Sequence, residues 1–166
     1  MSAQLLVNVL LGIALVGYIA SKQLRWTRID RQGVWRLPLI LGVIGLISLS
    51  SQAKGLTVGP VDIALIGVEL AVAVTIGLLM GRATVYRIAA TADAKGRRIE
   101  ARSGVAGAAL WVVLIALRLG LDVVGGLMGA HILTATGVIL LTVAASRAAS
   151  ALIVDARMPR VSSLTA

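Results

Sequence analysis

Ionisable and strongly polar side chains are rare inside the apolar runs of this sequence, and those toward the outer ends of the runs fall into one constellation. Asn8 lies in the first run, Asp62 and Glu69 in the third, Arg118 and Asp122 at the end of the fourth, and His131 with Thr134 at the start of the fifth. Asp62 and Glu69 are seven residues apart, so two helical turns put both carboxylates on one face. All of these residues fall in the outer halves of their helices, where they would line a polar cavity for an ion, a proton or a small polar ligand. The alternative is a satisfied ion pair at Glu69, with interfacial neighbours that simply touch water. Glu69 lies about eight residues, roughly 12 Å, from the outer end of its helix, where an unpaired carboxylate costs several kcal/mol. The third helix runs inward and the fourth outward, and helical side chains lean toward their own N-termini. Glu69 and Arg118 therefore converge in depth, and the expectation is that they pair.

Other chemistries lack their residues. There is no cysteine and a single histidine, His131, which excludes disulfide exchange, thiolate nucleophiles and cysteine-ligated metals. A lone histidine makes no metal set, and no GxSxG elbow, P-loop or HExxH occurs. The expectation is a protein that is not an enzyme and that carries no cofactor and no metal.

The elements that position these groups follow from composition. Of 166 residues, 58% are hydrophobic and 14% charged, with a mean hydropathy of +0.97, far from a water-soluble domain. Five apolar runs, at about 3–20, 35–51, 61–80, 104–121 and 127–148, approach the roughly 20 residues a helix needs to cross hydrocarbon. Pro38 falls in the first turn of the second run, where a missing N–H matters little. Arg118 and Asp122 suggest that the fourth stops early or tilts. The fold expected is all-α: residues 1–166 form one polytopic membrane domain, a single bundle of five transmembrane helices.

The net charge of +9 would suggest nucleic acid in a soluble chain. Here the basic residues cluster between the runs, and no recognition element remains for DNA. The segment 21–36 carries five, 82–103 carries six, and the C-terminal tail adds Arg147, Arg157 and Arg160; Lys54 and Arg118 alone fall on the other side, a split of 14 against 2. The positive-inside rule then orients the bundle N-out and C-in. Trp26, Trp35, Tyr18 and Tyr86 lie near the inner ends of the runs, as an interfacial aromatic belt would. Partial alternation at 84–88 and 97–102, around a Gly96 able to take positive φ, predicts a short cytoplasmic hairpin over 84–102; an extended helix followed by a basic loop is the alternative. Arg82, Arg87, Arg97, Arg98 and Arg102 would lie at the membrane surface, facing anionic lipid of the cytoplasmic leaflet or a protein partner.

Small residues form a second pattern. Gly77 and Gly81 make one GxxxG and Gly125 and Gly129 another, while Gly42 and Gly45 thin the second helix. Such pairs serve packing within the bundle or a homo-oligomer face.

The stretch GlyLeuLeuMetGlyArgAlaThrValTyrArgIle (77–88), followed by Gly96, Arg102 and an apolar helix reaching Arg118, resembles the CcdC-like family of small bacterial membrane proteins. The resemblance spans about the last two-thirds of the chain. It implies a multi-helix membrane fold and a bacterial plasma membrane, with Gly77, Gly81, Arg82, Thr84, Arg87, Gly96, Arg102 and Arg118 as pattern residues of unassigned role. It implies no substrate. The function expected is that of a non-enzymatic membrane accessory or scaffold protein whose basic cytoplasmic face docks anionic lipid or a partner. The alternative is a small transporter or channel subunit that uses the outer polar cluster.

Overall fold

A helix that is apolar on every side belongs in hydrocarbon rather than on the surface of a soluble core. The computed structural model describes residues 17, 21, 23–52, 59–94, 96–129 and 135–158, and four of its helices have that character. They are α1 (Arg31–Gln52), α2 (Pro60–Ala83), α3 (Gly104–Leu127) and α4 (Thr136–Arg157). At 22 or 24 residues each, they extend about 33–36 Å and can cross a bilayer core. Leu39, Ile47, Ile63, Val123 and Leu152 are all more than half exposed on their outer faces, where lipid rather than water is the compatible neighbour. The architecture is that of a multi-pass membrane protein. The first expected run, about 3–20, lies outside the described residues, and Asn8 with it.

Three helices have boundaries that differ from expectation. α1 begins at Arg31, so Pro38 sits two turns inside rather than in the first turn. Its missing N–H leaves the Val34 carbonyl without its usual helical donor. α3 continues through Arg118 and Asp122 to Leu127, because Arg118 pairs with both Asp122 and Glu69 and neither charge on α3 need escape to water. The fifth expected run begins at 127, yet Leu127 closes α3. Met128 caps that helix, Gly129 takes a φ of 75°, and α4 starts only at Thr136. α4 then runs to Arg157, nine residues past the expected end.

The hairpin forms, and a third strand joins it. β2 (Val85–Ile88) and β3 (Ile99–Arg102) are antiparallel around Gly96, whose φ of 74° supplies the turn; β1 (Thr27–Arg28) pairs with the other edge of β3, giving the order β1-β3-β2. Alternation gives the sheet two unlike faces. Ile99 and Ala101 are buried, and Ile99 packs with Val154, Met158, Ile29, Val34 and Tyr86 under the ends of the helices. Glu100 points to the other face, with Arg28 and Arg87 in register on either side.

α4 is the central helix, packed against α1 and α2, while α3 rests on α2. Glycines set the distances. A Cβ on Gly45 would lie 3.1 Å from the Leu141 backbone nitrogen, and one on Gly137 would lie 2.7 Å from Leu49 Cα. Gly77 and Gly81 face Ser146, Ala149, Ser150 and Ile153 in the same way, so this GxxxG is filled by the chain's own α4 and offers no face to a second copy. Gly125 and Gly129 are not a packing pair: Gly125 is buried in α3, whereas Gly129 ends the helix with nothing within 4 Å of its would-be Cβ.

Candidate functional site

Two places gather charge. In the first, Glu69 on α2 meets Arg118 on α3, whose Nη1 donates to Glu69 Oε1, and the expected pair is present. Glu69 is 3% exposed. Arg118 Nη2 also lies 3.3 Å from Asp122 Oδ1, one turn along α3. Thr142 of α4 completes the group: its hydroxyl lies 2.8 Å from Glu69 Oε1 and 2.9 Å from the Val138 carbonyl, with one proton to share between them. Among the described residues Glu69 Oε2 has no hydrogen-bond partner. A cavity of about 160 Å³ between α2, α3 and α4 is lined by Glu69, Arg118, Thr142 and Trp111, with Leu114 and Ile139 among its apolar walls. That is room for several waters, and a buried carboxylate oxygen is the kind of group a water would satisfy.

The expected outer cluster is therefore brought together only in part. Glu69, Arg118 and Asp122 meet. Asp62 does not join them, because its carboxylate accepts the Gly59 N–H at 2.9 Å and stabilises the N-terminus of α2. Asn8 and His131 lie outside the described residues. Among the described residues no group of His, Cys, Asp and Glu could hold a metal ion. Thr142 was not foreseen: a threonine in an apolar run reads as helix filler, and its value depends on Glu69 arriving from another helix.

The second place is the sheet end of the bundle. The N-termini of α1 and α3 and the C-termini of α2 and α4 all converge there, bringing the basic segments 25–36 and 82–102 side by side. Several of these arginines are already committed. Arg87 Nε donates to Glu100 Oε2 at 2.6 Å, and Arg28 approaches Oε1 at 3.4 Å. Arg97 holds Asp93 at 2.7 Å and also donates to the Arg28 carbonyl. Arg31 pairs with Asp155, and Arg157 donates to the Gly81 and Arg82 carbonyls at the end of α2. Arg87 and Arg97 thus knit the hairpin together. Arg36, Arg82 and Arg98 are exposed and, among the described residues, meet no carboxylate. Trp26 collects two cations, with the guanidinium carbons of Arg87 and Arg102 lying 4.2 and 4.9 Å from its ring centre.

The Arg87 guanidinium that donates to Glu100, with Arg28 on the other side, holds the Glu100 carboxyl below its ordinary value, against a smaller opposing effect of burial. A depressed carboxylate stabilises the fold above its unfolded pKa of about 4.3 and loses that contribution as pH falls through the lower folded value. Thermal unfolding in detergent should thus show a wild-type advantage over Glu100→Gln that is full near neutrality and shrinks below about pH 4. A pH-independent difference would exclude the arginine clamp. Burial pushes the Tyr86 phenol up, partly offset by Arg157, so its hydroxyl stays protonated and donates to the Val154 carbonyl at 3.3 Å.

Sequence reasoning also misplaced Arg147. It stands near the middle of α4 rather than in a tail, with its guanidinium carbon 4.7 Å from the centre of the Trp111 ring. Comparison with protein-family models, curated proteins and solved structures finds no match to the chain.

Proposed function

We propose that this chain is a non-enzymatic accessory protein of a bacterial plasma membrane, spanning it five times with the N-terminus outside, whose basic cytoplasmic face docks anionic lipid or a partner protein. The observation that carries this reading is the folded platform at one end of the bundle, where a three-stranded sheet and the adjoining chain segments present arginines that meet no carboxylate among the described residues. Among the described residues the opposite end holds one arginine, Arg118, and that one is engaged. Interfacial aromatics support the sheet end as a membrane–water boundary, since Trp26, Trp35 and Tyr86 all lie there.

The CcdC-like resemblance is part of the proposal. The pattern residues have structural uses consistent with it: Gly77 and Gly81 admit α4, Thr84 Oγ1 lies 3.2 Å from Ser103 Oγ, Arg87 holds Glu100, Gly96 makes the turn and Arg118 holds Glu69.

Reporter fusions after Ser51 and after Gly96 should show opposite sidedness, and an N-terminal fusion should match the Ser51 side; any other pattern removes the five-span N-out topology. Native mass spectrometry in mild detergent tests the function. Phosphatidylglycerol or a partner protein should stay bound while phosphatidylcholine does not. A lipid-free homo-oligomer would instead favour the second reading, a transporter or channel subunit, for which the Glu69 cavity is the supporting observation.

A further inference from the structure

Arginines in this protein fall into two populations. Arg28, Arg31, Arg87, Arg97 and Arg118 each have a carboxylate within 4 Å. Arg25, Arg102 and Arg147 have none among the described residues, and all three line one pocket of about 430 Å³ at the junction of the sheet, α1 and α4. No aspartate or glutamate lines it. Arg102 and Arg147 each rest on an indole, which favours a cation without neutralising it. Arg147 is the informative member, because it sits mid-helix in a membrane-crossing segment, where an uncompensated charge is expensive. Such a group calls for an anion.

The pocket's other walls indicate which one. Ser150 adds a hydroxyl donor beside the guanidinium groups, a donor set suited to phosphate oxygens, while the Thr84 hydroxyl donates to the Met80 carbonyl and accepts from Ser103 on the same wall. On the α1 side, Leu37 lines the pocket and is also half exposed. From Leu37, the exposed residues Ile40, Ile44 and Ile47 continue outward at helical spacing, an apolar track starting at the lip of the pocket. A cationic cup opening onto an apolar stripe matches an amphiphile with a phosphate head and a hydrocarbon tail.

We propose that this pocket binds the phosphate of an anionic phospholipid, with Arg25, Arg102 and Arg147 as its counter-charges and an acyl chain lying along the Leu37–Ile47 face of α1. The inference rests on the proposed lipid-docking function and narrows it to one site. A diffuse surface attraction would depend on the exposed arginines Arg82 and Arg98; a built site depends on the lining residues.

The test is native mass spectrometry of the full chain titrated with phosphatidylglycerol, phosphatidylcholine and inorganic phosphate. Wild type should retain phosphatidylglycerol selectively. Arg147→Gln and Arg102→Gln should each weaken that retention about fivefold or more, whereas Arg98→Gln should leave it within twofold. Arg102 is on the exposed sheet end, so its variant serves even if Arg147→Gln fails to fold, and Arg147→Lys should restore part of the binding. Selective retention that is insensitive to Arg102 and Arg147 but lost with Arg82→Gln and Arg98→Gln overturns the site while the docking function stands. Equal retention of both lipids overturns the docking function as well. Saturable binding of inorganic phosphate lost in Arg147→Gln, without lipid selectivity, overturns the lipid as the source of the phosphate.

Discussion

Arg118→Gln should destabilise the folded protein by about 3–5 kcal/mol, because it removes the cation from a carboxylate that is almost fully buried. In the variant Glu69 keeps the Thr142 hydroxyl, which cannot balance a charge, and its second oxygen already has no hydrogen-bond partner among the described residues. Glu69→Gln should cost less, about 1–3 kcal/mol, since Arg118 retains Asp122 and the glutamine still accepts a hydrogen bond. The double variant should cost less than the two single costs added, the mark of residues that act on each other. Steric trapping or SDS titration of the protein in mixed micelles would measure all three. Strict additivity would mean that Glu69 and Arg118 do not share their charge, and the transport reading would gain, because Glu69 would then stand as an independent proton or cation site.

That pair was legible because it follows from depth alone. A carboxylate eight residues inside a span needs a partner, and one arginine reaches its level. What depth could not tell was the fate of residues whose partners are local or distant in sequence. Asp62 lies on the same helical face as Glu69 but is claimed by the N-terminus of its own helix, through the Gly59 N–H. Arg87 and Arg97, read from charge as lipid contacts, are taken by Glu100 and Asp93, since cross-strand register and a four-residue return bring opposite charges together. The pocket arginines show the reverse. Arg25, Arg102 and Arg147 are spread over 122 residues and make a site only through the β1-β3-β2 sheet, whose first strand is two residues long. No periodicity announces a two-residue strand.

The helices were legible as apolar runs, less so as boundaries. A hydropathy window averages along one segment and counts each polar residue as a reason to stop. It ended the fourth run at 121 and the fifth at 148, yet both helices continue, because Arg118, Asp122, Arg147 and Asp155 meet neighbours on other helices or on the next turn. Length was lost wherever polar groups were matched across the bundle, and that matching cannot be read in one segment.

Gly77→Val should separate α2 from α4 and cost about 3 kcal/mol or more, the upper range for overpacking, because the obstacle is backbone. A Cβ at this position would collide with the Ser146 carbonyl oxygen and lie 2.9 Å from its carbon, with Ala149 Cβ at 3.0 Å. No rotamer of α4 can relieve a clash with its own main chain, so the helices must move apart and lose the close approach of Gly77 and Gly81 to Ser146, Ala149, Ser150 and Ile153. Gly81→Ala should be milder. Its nearest obstacle, at 2.7 Å, is the Ile153 side chain, although the Ser150 carbonyl oxygen follows at 2.9 Å. Gly67 in the same helix provides the contrast: it is exposed with nothing within 4 Å of its would-be Cβ, so Gly67→Ala should stabilise by up to about 1 kcal/mol through helix propensity and reduced unfolded-state freedom. The order Gly67→Ala above wild type, Gly81→Ala below it and Gly77→Val lowest would separate close approach from any general effect of adding carbon to α2. A Gly77→Val protein as stable as wild type would mean that α2 and α4 do not meet at this glycine, and the four-residue spacing shared by Gly77–Gly81 and Ser146–Ser150 would lose its meaning as an interlock.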